Sequence, residues 1–128
     1  MIYLDSSVAM ARLLFERRAP SLLFWEQKLV SSRLLEYEVW NRLYAYGADR
    51  SNQEAAQALL MGIALFEMER SVLARALKPW PVPIRTLDAL HLATAEYLHR
   101  QGEAIELASY DNRLLTAAAA LGIPAAAI

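Results

Sequence analysis

The sequence predicts an α/β fold of three layers, α/β/α, around a central, mostly parallel sheet of four to five short strands. Three observations lead to it. Short apolar runs at residues 2–4, 29–30 and 105–109 alternate with helical stretches. Those runs lack clean polar alternation, as expected of strands covered on both faces. Each also closes on residues that cap a following helix: Asp5-Ser6-Ser7, Ser31-Ser32 and Asp111.

Taken in order, Ile2-Tyr3-Leu4 is the first strand, and Val8, Ala9, Ala11, Leu13 and Leu14 continue helically from the caps. A second helix is expected over residues 21–28, then a short strand at Leu29-Val30. A long helix opens after Ser32 and runs to about Ala48. Ser51-Asn52-Gln53-Glu54 has the capping-box form and starts a helix to about Glu67, with another over residues 69–78. Pro79, Pro81 and Pro83 forbid helix and leave room for a very short strand near Val82. Thr86 begins a helix ending near Gln101, with Gly102 just past its C-terminus. A strand over residues 105–109, a helix from Asp111 through Leu121 and a weak final strand over residues 125–128 complete the pattern. No linker or repeat interrupts it, so residues 1–128 read as a single domain.

Composition narrows the function. Thirteen basic and fourteen acidic side chains give a net charge of -1, which excludes an indiscriminate nucleic-acid binder and leaves only a local site. Without cysteine there is no disulfide, thiolate nucleophile or thiolate zinc site, and a cytoplasmic location is the default expectation. The N-terminal residues lack a signal peptide's basic region and apolar stretch. The most apolar windows, residues 55–68 and 117–128, are broken by Gln57, Glu67, Gly122 and Pro124. Both fall short of the roughly 20 residues of a spanning helix, so no membrane role is expected. Eleven arginines against two lysines suit phosphate recognition, but beside so much alanine and leucine a coding bias explains them more simply.

In an open parallel sheet, ligands bind beyond the carboxyl ends of the strands. Asp5, Asp111 and the Ser31-Ser32 pair all fall at such ends, with Glu36 and Glu38 following in the helix that Ser32 opens. Asp88 joins them if the helix from Thr86 begins at the same edge. Singly, each acid has an ordinary explanation: Asp5 and Asp111 as helix caps, Asp88 facing a helix dipole, Glu38 paired with Arg42. Jointly, two carboxylates 4 Å apart repel by about 4 kcal/mol at an effective dielectric near 20. A hard cation with oxygen ligands, Mg²⁺ or Mn²⁺, offsets that repulsion and handles phosphate groups.

The helix after Ser32 places Leu35, Val39, Leu43 and Tyr46 in one buried stripe. Glu38 flanks that stripe and is preferred for the site; Glu36 lies on its other edge. Tyr37, Trp40 and Tyr44 form an opposite apolar stripe, either an interface or a surface covered by the next helix. His91 and His99 are expected to pack rather than bind metal. Ser6, Ser32, Thr86 and Ser109 read as supporting hydrogen-bonding residues or caps. Arg12, Arg33, Arg85 and Arg113 are candidates for phosphate contacts. No phosphate-cradling glycine loop, dinucleotide fingerprint or nucleophile elbow is present.

Four segments together resemble the PIN-domain ribonucleases, and among them the VapC toxins of toxin–antitoxin pairs. IYLDSSVAMARLLFE carries Asp5, VSSRLLEYEVWNRL carries Glu38 and Arg42, TLDALHLATA carries Asp88, and SYDNRLLTAAAALGI carries Asp111. The order is that of the family, over nearly the whole chain. The resemblance implies a Mg²⁺- or Mn²⁺-dependent endoribonuclease that acts as a homodimer. It also implies inhibition by a cognate VapB-like antitoxin whose C-terminal segment covers the active site. Asn112 stands where some relatives carry a further acid. Two other readings compete: a catalytically silent PIN-like module binding a protein partner, and a receiver-like signalling domain. The latter needs a lysine beyond the last strand, and neither Lys28 nor Lys78 fits.

Overall fold

The computed structural model describes residues 1–128. Four strands, β1 (Ile2–Leu4), β2 (Leu29–Ser32), β3 (Ile63–Phe66) and β4 (Glu106–Ala108), form one sheet in the order β3-β2-β1-β4. Every pairing is parallel, with Ile2 opposite both Leu29 and Glu106. Parallel neighbours need crossover connections, and the intervening helices supply them. These are α1 (Ser6–Leu13), α2 (Leu34–Ala45), α3 (Gln53–Met61), α4 (Arg70–Ala76) and α5 (Thr86–Arg100), while α6 (Asn112–Ala120) follows β4.

Alternation along β1 divides the core in two. Ile2 and Leu4 point into one layer with Val8, Leu35, Val39 and Leu43 from α1 and α2. Tyr3 points into the other with Leu92, Leu98, Leu114 and Ala117 from α5 and α6. A helix layer on each face is the three-layer arrangement expected from sequence. The chain order runs outward from β1 to β2 to β3, then returns to place β4 on the other side of β1. That reversal opens a crevice beyond the carboxyl ends of β1 and β4, the usual ligand position in such sheets.

Several expectations need correction. The segment expected to be helical to Glu67 breaks at Gly62, and Ile63–Phe66 becomes edge strand β3. An unbroken apolar run has no period by which to separate strand from helix. No strand forms near Val82, where Pro81 and Pro83 remove the needed amide donors. The final strand contracts to a single bridge between Leu107 and Ala125. Residues 22–26 form a 3₁₀ turn rather than an α-helix. Tyr46 lies past the end of α2 and is 69% exposed, outside the buried stripe that keeps Leu35, Val39 and Leu43. Gly102 follows α5 with φ +90, as its position past the C-terminus predicted.

Candidate active site

A cleft of about 570 Å³ lies at the reversal point, lined by Asp5, Ser6, Ser7, Glu38, Arg42, Arg85, Thr86, Asp88 and Asp111 among others. The four acids singled out from the sequence therefore come from four separate segments to one cavity. Each arrives by a different local device.

Asp5 follows β1 in the N-cap position of α1, yet its side chain makes no cap hydrogen bond. Its Oδ2 instead accepts hydroxyl hydrogens from Ser7 at 2.7 Å and Ser109 at 2.8 Å. The carboxylate is 4% exposed, and Oδ1 has no such partner. Asp111 behaves differently: its Oδ1 accepts the backbone N–H groups of Arg113 and Leu114, capping α6, and its other oxygen remains free to face the cleft. Asp88 lies in the first turn of α5. Its carboxyl is held above the usual aspartate range, first by partial burial and then by the charges of Asp5 and Asp111; Arg85 and His91 pull it the other way. Asp88 thus registers its partial burial first and the neighbouring acids second.

Glu38 lies one turn into α2 on the flank of the buried stripe, and its expected partner Arg42 is not the one it takes. Its Oε1 meets Nε2 of His91, while Ser6 donates to Oε2 at 3.3 Å. His91 is 1% exposed and its Nδ1 lies 2.8 Å from the Tyr3 hydroxyl. His91 was expected merely to pack; the structure joins it directly to an acid of the cleft. The available signal was its position one turn after Asp88.

The supporting residues divide. Ser6 and Ser109 bond to acids of the cleft, as does Ser7, which was not expected to. Ser32 does not: its Oγ accepts the N–H of Leu34 and helps start α2. Thr86 lines the cleft at the first residue of α5. Of the arginines, Arg85 lines the cleft and Arg42, not expected there, joins it. Arg12 stacks over Trp25 in a separate apolar groove. Arg33 is drawn off by Glu67 and Glu36, which also removes Glu36 from the site. Arg113 and Asn112 are exposed on α6 and do not line the cleft. Tyr37 and Tyr44 are 65% and 64% exposed, whereas Trp40 is half-buried against the core and meets Tyr44 at 6.4 Å between ring centroids.

No three acid or histidine side chains converge into a ready-made coordination shell. The donor set nonetheless fits a hard cation that keeps several waters and takes few carboxylates directly, the habit of Mg²⁺. The orienting hydrogen bonds leave Asp5 and Asp111 an uncommitted oxygen each, and a cation would balance the acids gathered in the cleft.

Comparison with known proteins gives the family. The fold matches a chain in a toxin–antitoxin complex from Klebsiella pneumoniae with a TM-score of 0.60, at 18% identity and 88% coverage of both chains. Ribonuclease VapC35 of Mycobacterium tuberculosis is 31% identical over 96% of this chain and 93% of its own. Ribonuclease VapC46 of the same species is 36% identical over 95% of this chain and 93% of its own. The PIN domain model matches residues 2–120. With that match across nearly the whole chain, and relatives of the VapC type along its length, this protein belongs to the PIN-domain family.

Proposed function

We propose that this chain is a VapC-like endoribonuclease toxin, dependent on Mg²⁺ or Mn²⁺, that hydrolyses RNA phosphodiester bonds and is neutralised by a cognate antitoxin. The observation that carries the reading is the convergence of Asp5, Glu38, Asp88 and Asp111 on one cleft that also has Arg42 and Arg85 in its wall. The VapC relatives are named ribonucleases, and the structural neighbour is a toxin–antitoxin complex; both support the same reading. Two copies of the chain are proposed to form the working unit, in the cytoplasm. No helix is long and apolar enough to cross a membrane.

Asp5, Glu38, Asp88 and Asp111 would hold the cation, in part through water. A divalent cation bound there would supply charge neutralisation at the scissile phosphate and a water of lowered pKa. Ser7 and Ser109 hold one oxygen of the Asp5 carboxylate and would leave the other for the cation. Asp111 does the same by spending one oxygen on the α6 cap. Arg42 and Arg85 bring positive charge to flanking phosphates that four acids would otherwise repel.

RNA cleaved on expression of the chain without an antitoxin should carry 5′-phosphate and 3′-hydroxyl ends, because the ribose 2′-hydroxyl is not the nucleophile. Mapping those ends tests activity, chemistry and target together. Ends with 2′,3′-cyclic phosphate, or cleavage that persists in excess chelator, would overturn the proposal.

A further inference from the structure

Three elements meet in a hydrogen-bonded row beneath the cleft: Tyr3 of β1, His91 of α5 and Glu38 of α2. Tyr3 is 0% exposed and His91 1% exposed, so no solvent competes for their polar atoms. The rings stand edge to face, with centroids 5.8 Å apart and planes at 81°.

The row is anchored at its far end by the backbone. The backbone N–H of Ser32 donates to the Tyr3 hydroxyl oxygen at 3.1 Å. The same hydroxyl lies 2.8 Å from Nδ1 of His91 and holds the ring's orientation. Nε2 faces Oε1 of Glu38, and an ionised carboxylate only accepts, so the proton of that contact sits on Nε2. One oxygen of Glu38 is thereby occupied by a donor that the protein interior holds still.

We propose that His91, backed by Tyr3, is the positioning residue for Glu38, fixing its carboxylate so that Oε2 alone is presented to a divalent cation and its waters. This rests on the reading of Glu38 as a metal ligand. A glutamate has three rotatable side-chain bonds, and the cleft gives Glu38 only one other polar partner, Ser6 at 3.3 Å. Occupying Oε1 excludes bidentate chelation and favours the one-oxygen coordination of a hydrated octahedral ion. Asp5 goes further, with two hydroxyls on Oδ2 and none on Oδ1, whereas Oε2 of Glu38 keeps the long Ser6 contact and offers its remaining lone pairs. Partners that orient metal-ligating groups typically account for 10–100-fold in affinity.

The test is calorimetric titration of Mn²⁺ into the full metal-free chain, with unfolding curves to confirm that each variant folds. Glu38→Gln should weaken binding, His91→Leu should weaken it by about 10–100-fold, and His91→Gln, which restores an N–H donor, should recover most of the loss. Nitrogen-15 spectra of the wild-type ring should show a proton on Nε2, and Tyr3→Phe should disturb the ring's signals. If Glu38→Gln weakens binding while a folded His91→Leu binds as wild type does, the positioning role is overturned and the ligand reading stands. If Glu38→Gln leaves binding unchanged, the ligand reading fails and takes this one with it. A folded His91→Gln that loses as much binding as Glu38→Gln, or a bare Nε2 in the wild type, also overturns the role. Both results are read without His91→Leu and decide the matter even where that variant does not fold.

Discussion

Ser109 donates its hydroxyl hydrogen to Oδ2 of Asp5 at 2.8 Å, closing a bond across the point where the sheet reverses between β1 and β4. The same Oγ accepts the N–H of Asp111 at 2.9 Å. One small side chain therefore ties two acids of the cleft to each other. Ser7 repeats the device, donating to Oδ2 of Asp5 and accepting the N–H of Tyr110. A hydrogen bond to a charged group contributes about 1.5–3 kcal/mol, so Ser109→Ala and Ser7→Ala should each lower stability by about 2 kcal/mol in urea. Because both hydroxyls serve one oxygen, either can partly cover for the other. The double variant should lose at least about 0.5 kcal/mol more than the sum of the singles. Strict additivity would mean that the two bonds to Asp5 are independent.

Asp88 links function to instability. Its carboxyl is raised above the ordinary 3.8, chiefly by partial burial and then by Asp5 and Asp111. The folded protein thus holds this proton more tightly than the unfolded chain. The associated stability is fully present below the ordinary value and is lost as pH rises through the raised one. Asp88→Asn removes the dependence. In the absence of metal, the variant should melt near the wild type at low pH and increasingly above it as pH approaches neutrality. Added Mn²⁺ should then raise the melting temperature of the wild type more than that of the variant. A wild type that outlasts Asp88→Asn in metal-free neutral buffer would contradict this account.

What could be read from the sequence, and what could not, follows from the range of the interactions. Asp5 and Asp111 were legible because each ends a short apolar run at a cap, which is local. Glu38 was separable from Glu36 because a helix's angular period is also local. His91 was not legible as a partner of Glu38, since the two are 53 residues apart and meet only when α5 packs across the carboxyl end of the sheet. Of the four arginines, Arg85 lines the cleft and Arg12, Arg33 and Arg113 do not, for the same reason. Arg12 and Arg42 both follow site acids, but α1 turns Arg12 toward Trp25 while α2 turns Arg42 into the cleft. Strand β3 was lost because Ile63-Ala64-Leu65-Phe66 continues the apolar run of α3 with only Gly62 between them.

The anchor of α4 is electrostatic. Glu96 of α5 is 3% exposed and accepts from Nε of Arg75 at 2.9 Å, while the Arg75 guanidinium lies 3.6 Å from the Trp80 ring centroid. Arg100 reaches the same carboxylate from a mostly exposed position. Removing one partner of a buried pair typically costs about 3–5 kcal/mol, and the remaining arginine should hold Arg75→Ala near the lower figure, about 3 kcal/mol. Arg100→Ala should cost about 1 kcal/mol or less, as exposed pairs do. Replacing Arg75 and Glu96 together by Met and Leu should recover much of the Arg75→Ala loss, because no buried charge is then left alone. Urea midpoints of the three variants check the order.

Phosphate contacts leave a signature in salt. Arg42 and Arg85 are the cationic side chains that line the acidic cleft, whereas Arg33 is paired with Glu67 and Arg12 packs on Trp25. On a single strand, each phosphate contact adds about 0.7 to the steepness with which log affinity falls against log salt. Losing two contacts should therefore flatten the slope by about 1.4. The measurement is anisotropy of a labelled single-stranded RNA across a salt series, in an Asp5→Asn background so that the probe is not consumed. Arg42→Ala with Arg85→Ala should weaken binding most at low salt, and Arg12→Ala or Arg33→Ala should leave the slope unchanged. Equal flattening by the Arg12 and Arg33 variants would place the RNA path outside the cleft and detach the arginine assignment from the acids beside it.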